Sequence, residues 1–120
     1  MRAAALLVTL ALSQAALAQG VPPARQTELV RMVRQDCGSC HGMRLTGGLG
    51  PALTREALAD KPPASMAATI FHGRPGTPMP GWRAMLSETE AQWIAEQLVA
   101  GFPEDHRSAQ PRQRDRRRFA

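Results

Sequence analysis

The chain contains two cysteines, Cys37 and Cys40, and a histidine, His41, follows the second directly. Positions i, i+3 and i+4 of a helical turn share one face, so DCGSCHG (36–42) can project two sulfurs and an imidazole together. C-x-x-C-H is the attachment pattern of a c-type haem. Each thiol can form a thioether with a haem vinyl group while His41 offers its imidazole to the iron. Three other chemistries use part of this pattern. A dithiol oxidoreductase needs a strand–helix unit before its CxxC, whereas a helical pattern precedes this one. A zinc centre needs a fourth ligand, recruited from His72 or His106 without any motif. A Cys37–Cys40 disulfide closes a loop too small to add much by chain entropy. Covalent haem uses all three residues.

A six-coordinate iron needs one more ligand, from Met43, Met66, Met79, Met85 or His72. Met43 lies only two residues past His41, on the wrong side to reach over the ring. Met66 and Met85 sit in or beside amphipathic helical stretches, where methionine commonly fills core. His72 ends a helix, a setting that equally suits a solvated or capping histidine. Met79 stands between Pro78 and Pro80, which partly fix the local φ angles. Such a strap holds a thioether in place with little entropic loss, so Met79 is the expected ligand and His72 the alternative.

The elements that must position these groups read as an all-α chain with Gly/Pro-rich loops. RQTELVRMVRQDCGSCHG (25–42) carries Leu29, Met32, Val33, Cys37, Cys40 and His41 mostly at steps of three and four. MRLTGGLGPAL (43–53) is a loop by its glycines and Gly50-Pro51. A short helix is expected from Thr54, and another from about Ala64 to His72 after Pro62-Pro63. GRPGTPMPG (73–81) is irregular. The last helix opens with the capping box Ser87…Glu90, carries Ile94 and Leu98 on one face, and stops at Gly101 with Pro103.

Residues 1–18 pair Arg2 with a short apolar run and small residues at Ala16 and Ala18, the features of a cleaved export signal. The run is far shorter than the ~20 residues a membrane span needs. The organisation expected is a signal over 1–18, a linker over 19–24, a haem domain over 25–104 and a basic, disordered tail over 105–120. The whole chain is +5, but residues 19–106 hold eight basic and nine acidic groups, while six arginines fall in the last fourteen positions. The high pI therefore belongs to the tail, and a nucleic-acid-binding domain gains no support. The body has four aromatics (Phe71, Trp82, Trp93 and Phe102) and few β-branched residues, thin material for a core of its own.

The order of export signal, CxxCH, Gly-Pro loop, proline-flanked methionine and C-terminal helix resembles a class I cytochrome c over about 27–102. CGSCHGMRLTGGLGPALT and GRPGTPMPGW are most similar to the NirC-type monohaem cytochromes associated with haem cd-type nitrite reductase. The resemblance implies three to five helices around one covalent haem, held by Cys37 and Cys40 with His41 and Met79 as axial ligands. It also implies that the Pro51 carbonyl accepts the imidazole N–H. Trp82 falls where such proteins place a propionate donor, or is plain core. Arg44 can pair with a propionate or remain solvated in its loop. Function follows as expectation: a periplasmic, monomeric electron carrier, not an enzyme, with no nucleic-acid partner. Its partners would be redox proteins such as nitrite reductase or the haem d1 maturation proteins. A subunit of another periplasmic dehydrogenase would share these motifs; a haem sensor or peroxidase would need a labile sixth site. Lys61 is the body's lone lysine, so docking through a lysine ring, as in mitochondrial cytochromes, does not transfer.

Overall fold

The computed structural model describes residues 20–102, and the expected signal (1–18) and tail (105–120) lie outside them. Helix α1 (Pro23–Met32) starts on the Pro22-Pro23 pair. Proline suits the first helical position, because its φ is preset and its missing N–H would have had no partner. The helix thus begins two residues before Arg25, the start of the sequence pattern. Val21 ahead of it is already buried, and the Gln26 side chain donates to the Val21 carbonyl at 2.8 Å.

Leu29 and Val33, one turn apart, are fully buried. The helix then widens into a π-helical segment, Val33–Cys37, where the Gly38 N–H reaches back five residues to the Val33 carbonyl. Helix α2 (Gly38–His41) continues from it. The sequence pattern predicts one uninterrupted helical face here; the wide turn instead brings Gly38 to the buried side. A Cβ on Gly38 would lie 3.6 Å from the Met43 backbone, so the glycine permits this close return of the chain.

Residues 54–61 form successive turns and not the expected short helix. The Thr54 hydroxyl accepts from the Ala57 N–H at 3.3 Å, and one helical-type bond joins Leu58 N–H to the Thr54 carbonyl. Leu58 is the segment's only buried side chain. A single anchor does not repay helix nucleation, and Pro62-Pro63 blocks extension.

Helix α3 (Pro63–His72) and helix α4 (Glu88–Ala100) pack together through Ala67, Ile70, Ala91, Ile94, Ala95 and Leu98. Burying a side chain such as Ile94 contributes about 1.5–3 kcal/mol. The capping box is present in full: Ser87 Oγ accepts from the Glu90 N–H at 3.1 Å, and Glu90 Oε2 accepts from the Ser87 N–H at 2.8 Å. The same carboxylate pairs with Arg25 at 2.6 Å, which ties α4 to α1. Phe102, just past the Gly101 stop, lies under the Arg34 guanidinium at 5.2 Å. No strand occurs among the described residues, so the chain is all-α.

Candidate haem site

His41 closes α2, and its ring is set by the loop that follows. Its Nδ1 lies 2.7 Å from the Pro51 carbonyl oxygen. A carbonyl can only accept, so Nδ1 carries the proton and Nε2 keeps its lone pair. The loop is tied back to α2 by Gly47 N–H to the His41 carbonyl (2.8 Å) and Gly50 N–H to the Cys40 carbonyl (2.9 Å). Its glycines are required by contact. A Cβ on Gly50 would sit 2.7 Å from the imidazole, and one on Gly48 would sit 2.7 Å from the Cys40 oxygen.

Leu45 in this loop has φ 59° yet is 3% exposed. The left-handed conformation costs a leucine roughly 1–2 kcal/mol, which burial of its side chain offsets. The bond from Leu53 N–H to its carbonyl, 2.8 Å, fixes the turn. The two cysteines are free thiols in different surroundings. Cys40 is exposed, whereas burial, aided by Asp36, pushes the Cys37 thiol up to about 11. The half-buried Cys37 thiol is thus held neutral.

Met79 is carried by a strap that returns onto the end of α3. Arg74 N–H donates to the Met79 carbonyl (3.1 Å), Trp82 N–H to the Ile70 carbonyl (3.0 Å) and Arg83 N–H to the Phe71 carbonyl (3.2 Å). Thr77 stiffens the bend: its Oγ1 donates to the Arg74 carbonyl at 2.7 Å and accepts from the Met79 N–H at 3.3 Å. The strap presses backbone on backbone. A Cβ on Gly81 would lie 2.8 Å from the His72 carbonyl, and Gly73, at φ 74°, abuts the Gly81 nitrogen.

The remaining predicted positions fall apart from these two loops or at their edges. His72 lines a cleft of about 480 Å³ with Phe71, Glu88 and Gln92, its ring edge-on to Phe71 with centroids 5.0 Å apart. Neither His41 nor Met79 lines that cleft. Met66 packs against the core, while Met43 and Met85 are exposed. Trp82 packs half-buried against the core, and its indole N–H has no hydrogen-bond partner among the described residues. Arg44 is exposed in the turn after α2. Gly48, Gly50 and Gly81 are the site residues that motif reading passes over; their signal is a glycine placed next to a ligand or the strap.

These groups suit a covalent c-type haem. Two thiols stand one helical turn apart, an imidazole has its outer nitrogen saturated and its inner nitrogen available, and a thioether rides on a braced strap. Cys37 and Cys40 would hold the porphyrin, and His41 and Met79 would hold its iron.

Residues 24–97 match the family model described as cytochrome c oxidase, cbb3-type, subunit III. The chain is 55% identical over 98 residues to cytochrome c55X of Stutzerimonas stutzeri, covering 82% of each protein. It is 34% identical over 90 residues to dihydro-heme d1 dehydrogenase of Pseudomonas aeruginosa, covering 62% of this chain and 18% of that one. The solved structure of the c-type cytochrome NirC superposes with a TM-score of 0.66 at 54% identity, covering 67% of this chain and 94% of that chain. An electron-transfer protein with one covalent haem c, this chain belongs to the NirC-type class I c-type cytochromes.

Proposed function

We propose that this cytochrome is a periplasmic monomer that exchanges electrons with the nitrite reductase system, either with the reductase or with the proteins that mature its haem d1. The observation carrying this reading is the likeness to a dihydro-heme d1 dehydrogenase, in which the same domain is about a sixth to a fifth of a longer chain. A domain found fused to one protein and free in another suits a diffusible redox partner of the same chemistry. No helix among the described residues is long and apolar enough to cross a membrane.

When bound, haem c supplies one-electron exchange at iron. The chain's own part is to hold both axial donors so that little moves when the charge changes. The Pro51 carbonyl keeps the His41 Nδ1 protonated and strengthens Nε2 as a donor. The Met79 thioether, a soft ligand, would favour the reduced metal and raise the potential. The strap's bonds to the end of α3 brace Met79, which as a ligand would keep small molecules off the iron. Trp82 and Arg44 are the groups we assign to the propionates.

Mixing the reduced holoprotein with haem cd-type nitrite reductase and nitrite, or the oxidised holoprotein with the dihydro-haem d1 dehydrogenase and its dihydro-haem d1, tests the partner. Oxidation that depends on the reductase, or reduction that depends on the dehydrogenase, supports the proposal. If neither protein accelerates electron exchange above the rate seen without it, a different dehydrogenase is the partner.

A further inference from the structure

The Met79 strap returns to the end of α3 at Trp82 and Arg83, and the chain then makes a tight turn before α4 begins. Within that turn the Met85 and Leu86 N–H groups both donate to the Trp82 carbonyl, at 2.8 and 2.9 Å. Leu86 is buried, so residues 82–86 form one unit seated at the foot of the strap. Met85 contributes little to that burial, being 53% exposed. What holds position 85 is its backbone carbonyl, which accepts from Arg25 Nη2 at 3.1 Å across 60 residues of sequence.

Arg25 stands in the first turn of α1, on a firm base. The helix starts at Pro23, and the Val21 carbonyl ahead of it is held by Gln26. Three acceptors share the guanidinium. Nε donates to Glu90 Oε1 at 2.6 Å, Nη1 to Glu28 Oε2 at 2.8 Å, and Nη2 to the Met85 carbonyl. A planar fork with five donors reaches three acceptors at once, whereas an ammonium on a flexible stem does not hold the same geometry. Glu90 is engaged twice, since its Oε2 accepts from the Ser87 N–H at 2.8 Å. Arg25 and Glu90 together therefore fasten the chain at 85 and at 87, on either side of buried Leu86. A tie between α1 and α4 needs only the ion pair. The bond to the Met85 carbonyl fastens a third segment, the one that leads out of the strap.

We infer that Arg25 is a positioning residue for the sixth ligand: by clasping the Met85 carbonyl together with Glu90 it fixes the foot of the strap, and so sets how often the strap lifts Met79 away from the iron. This role rests on Met79 as the axial ligand and not on any partner. The Trp82 and Arg83 bonds to α3 hold the foot from one side, and Arg25 holds it from α1. With both in place, peeling the turn from α3 also breaks a charge-assisted contact. Without Arg25, the bonds to α3 and the burial of Leu86 are left to hold the turn, and local opening becomes more frequent while the helices stay packed. The closed geometry is the same in either case, so the thioether meets the iron in the same way whenever the strap is down.

Imidazole binding to the oxidised holoprotein reads this opening. As imidazole concentration rises, the observed rate should level off at the rate at which Met79 leaves the iron. Met79→Ala, with no thioether to displace, should show no such plateau. Arg25→Met is expected to raise the plateau about 10-fold, because it removes a charge-assisted bond and leaves the Met85 carbonyl to water. Arg25→Lys, the milder change, keeps a cation for Glu90 but not the fork; it should raise the plateau about 3-fold with a denaturation midpoint close to wild type. Glu28→Gln removes only the exposed i,i+3 pair and should leave the plateau at the wild-type value. The sulfur-to-iron charge-transfer band and the midpoint potential should match wild type in these three variants. A plateau unchanged in both Arg25 variants, even where the denaturation midpoint falls, overturns the inference and leaves Arg25 as a tie between helices. So does an equal rise in Glu28→Gln, which would make the effect one of general charge. If wild type shows no plateau and binds imidazole as fast as Met79→Ala, the ligand assignment fails and the positioning role falls with it.

Discussion

The segments that would present the two axial donors are built differently: His41 ends α2 and is braced by the 42–53 loop, whereas Met79 rides on the strap. The 42–53 loop follows the attachment turn directly and is fastened to it at several points. Gly47 and Gly50 donate to α2, Leu45 is buried beneath the loop, and the Pro51 carbonyl grips the imidazole. His41 is also covalently neighboured by a cysteine that anchors the same porphyrin. The strap has no covalent tie to the haem. It depends on four backbone bonds to the end of α3 and within itself, on the Thr77 hydroxyl, and on the Gly73–Gly81 contact. On the proposed ligand set, haem binding would be concentrated on the histidine side, and the methionine side would be the one to let go.

The sharpest way to break this asymmetry is Met79→Ala. It should abolish the sulfur-to-iron charge-transfer band and convert a protein inert to carbon monoxide into one that binds it stoichiometrically. The covalent haem should be retained in denaturing gels stained for haem. Met79→His should keep six ligands but lower the midpoint potential, as replacement of a soft thioether requires.

A smaller effect is expected from paired glycine substitutions. Gly81→Ala forces a methyl group into the α3 backbone and should cost about 1–3 kcal/mol, so the sulfur band disappears at lower denaturant concentration than the helical signal. Gly50→Ala presses on the imidazole instead. It should disturb the His41 side, seen as altered imidazole resonances, while the sulfur band persists. Equal loss of the sulfur band in both variants would erase the distinction between the loops.

The smallest effect lies away from both loops. The Arg25 guanidinium, helped by the Ser87 N–H, holds the Glu90 carboxyl below its ordinary value of 4.5. A depressed folded value means that the stabilisation is complete above about pH 4.5 and is lost as pH falls through the lowered value. Glu90→Gln should flatten this acid limb of an unfolding curve without moving the sulfur band at neutral pH.

Much of this architecture could be read from residue types alone. The CxxCH turn, the irregular strap over 73–81 and the Ser87–Glu90 cap with its Gly101 stop depend on local chemistry, and local chemistry is written in adjacent residues. The family comparisons agree with the class I, NirC-type resemblance. What could not be read depends on contacts between distant segments. The π-helical turn at Val33–Cys37 arises where Gly38 meets Met43, and no periodicity in the sequence announces it. Leu45 reads as a loop residue but is core, because its left-handed turn makes sense only once the Leu53 bond is known. The Arg25–Glu90 pair spans 65 residues. Conversely, Thr54 opens an apparent helix that lacks a second buried anchor.

His41 on α2 and Met79 on the strap, braced to unequal degrees, are the proposed iron ligands. Proton NMR of the reduced holoprotein tests this assignment most directly, since the methyl group of an axial methionine lies over the porphyrin and is driven far upfield by the ring current. One such methyl is expected, assigned to Met79, with the Pro51-bonded Nδ1 proton of His41 as the single ligand imidazole N–H. An upfield methyl belonging to Met43, Met66 or Met85, or a second ligand imidazole from His72, would contradict it.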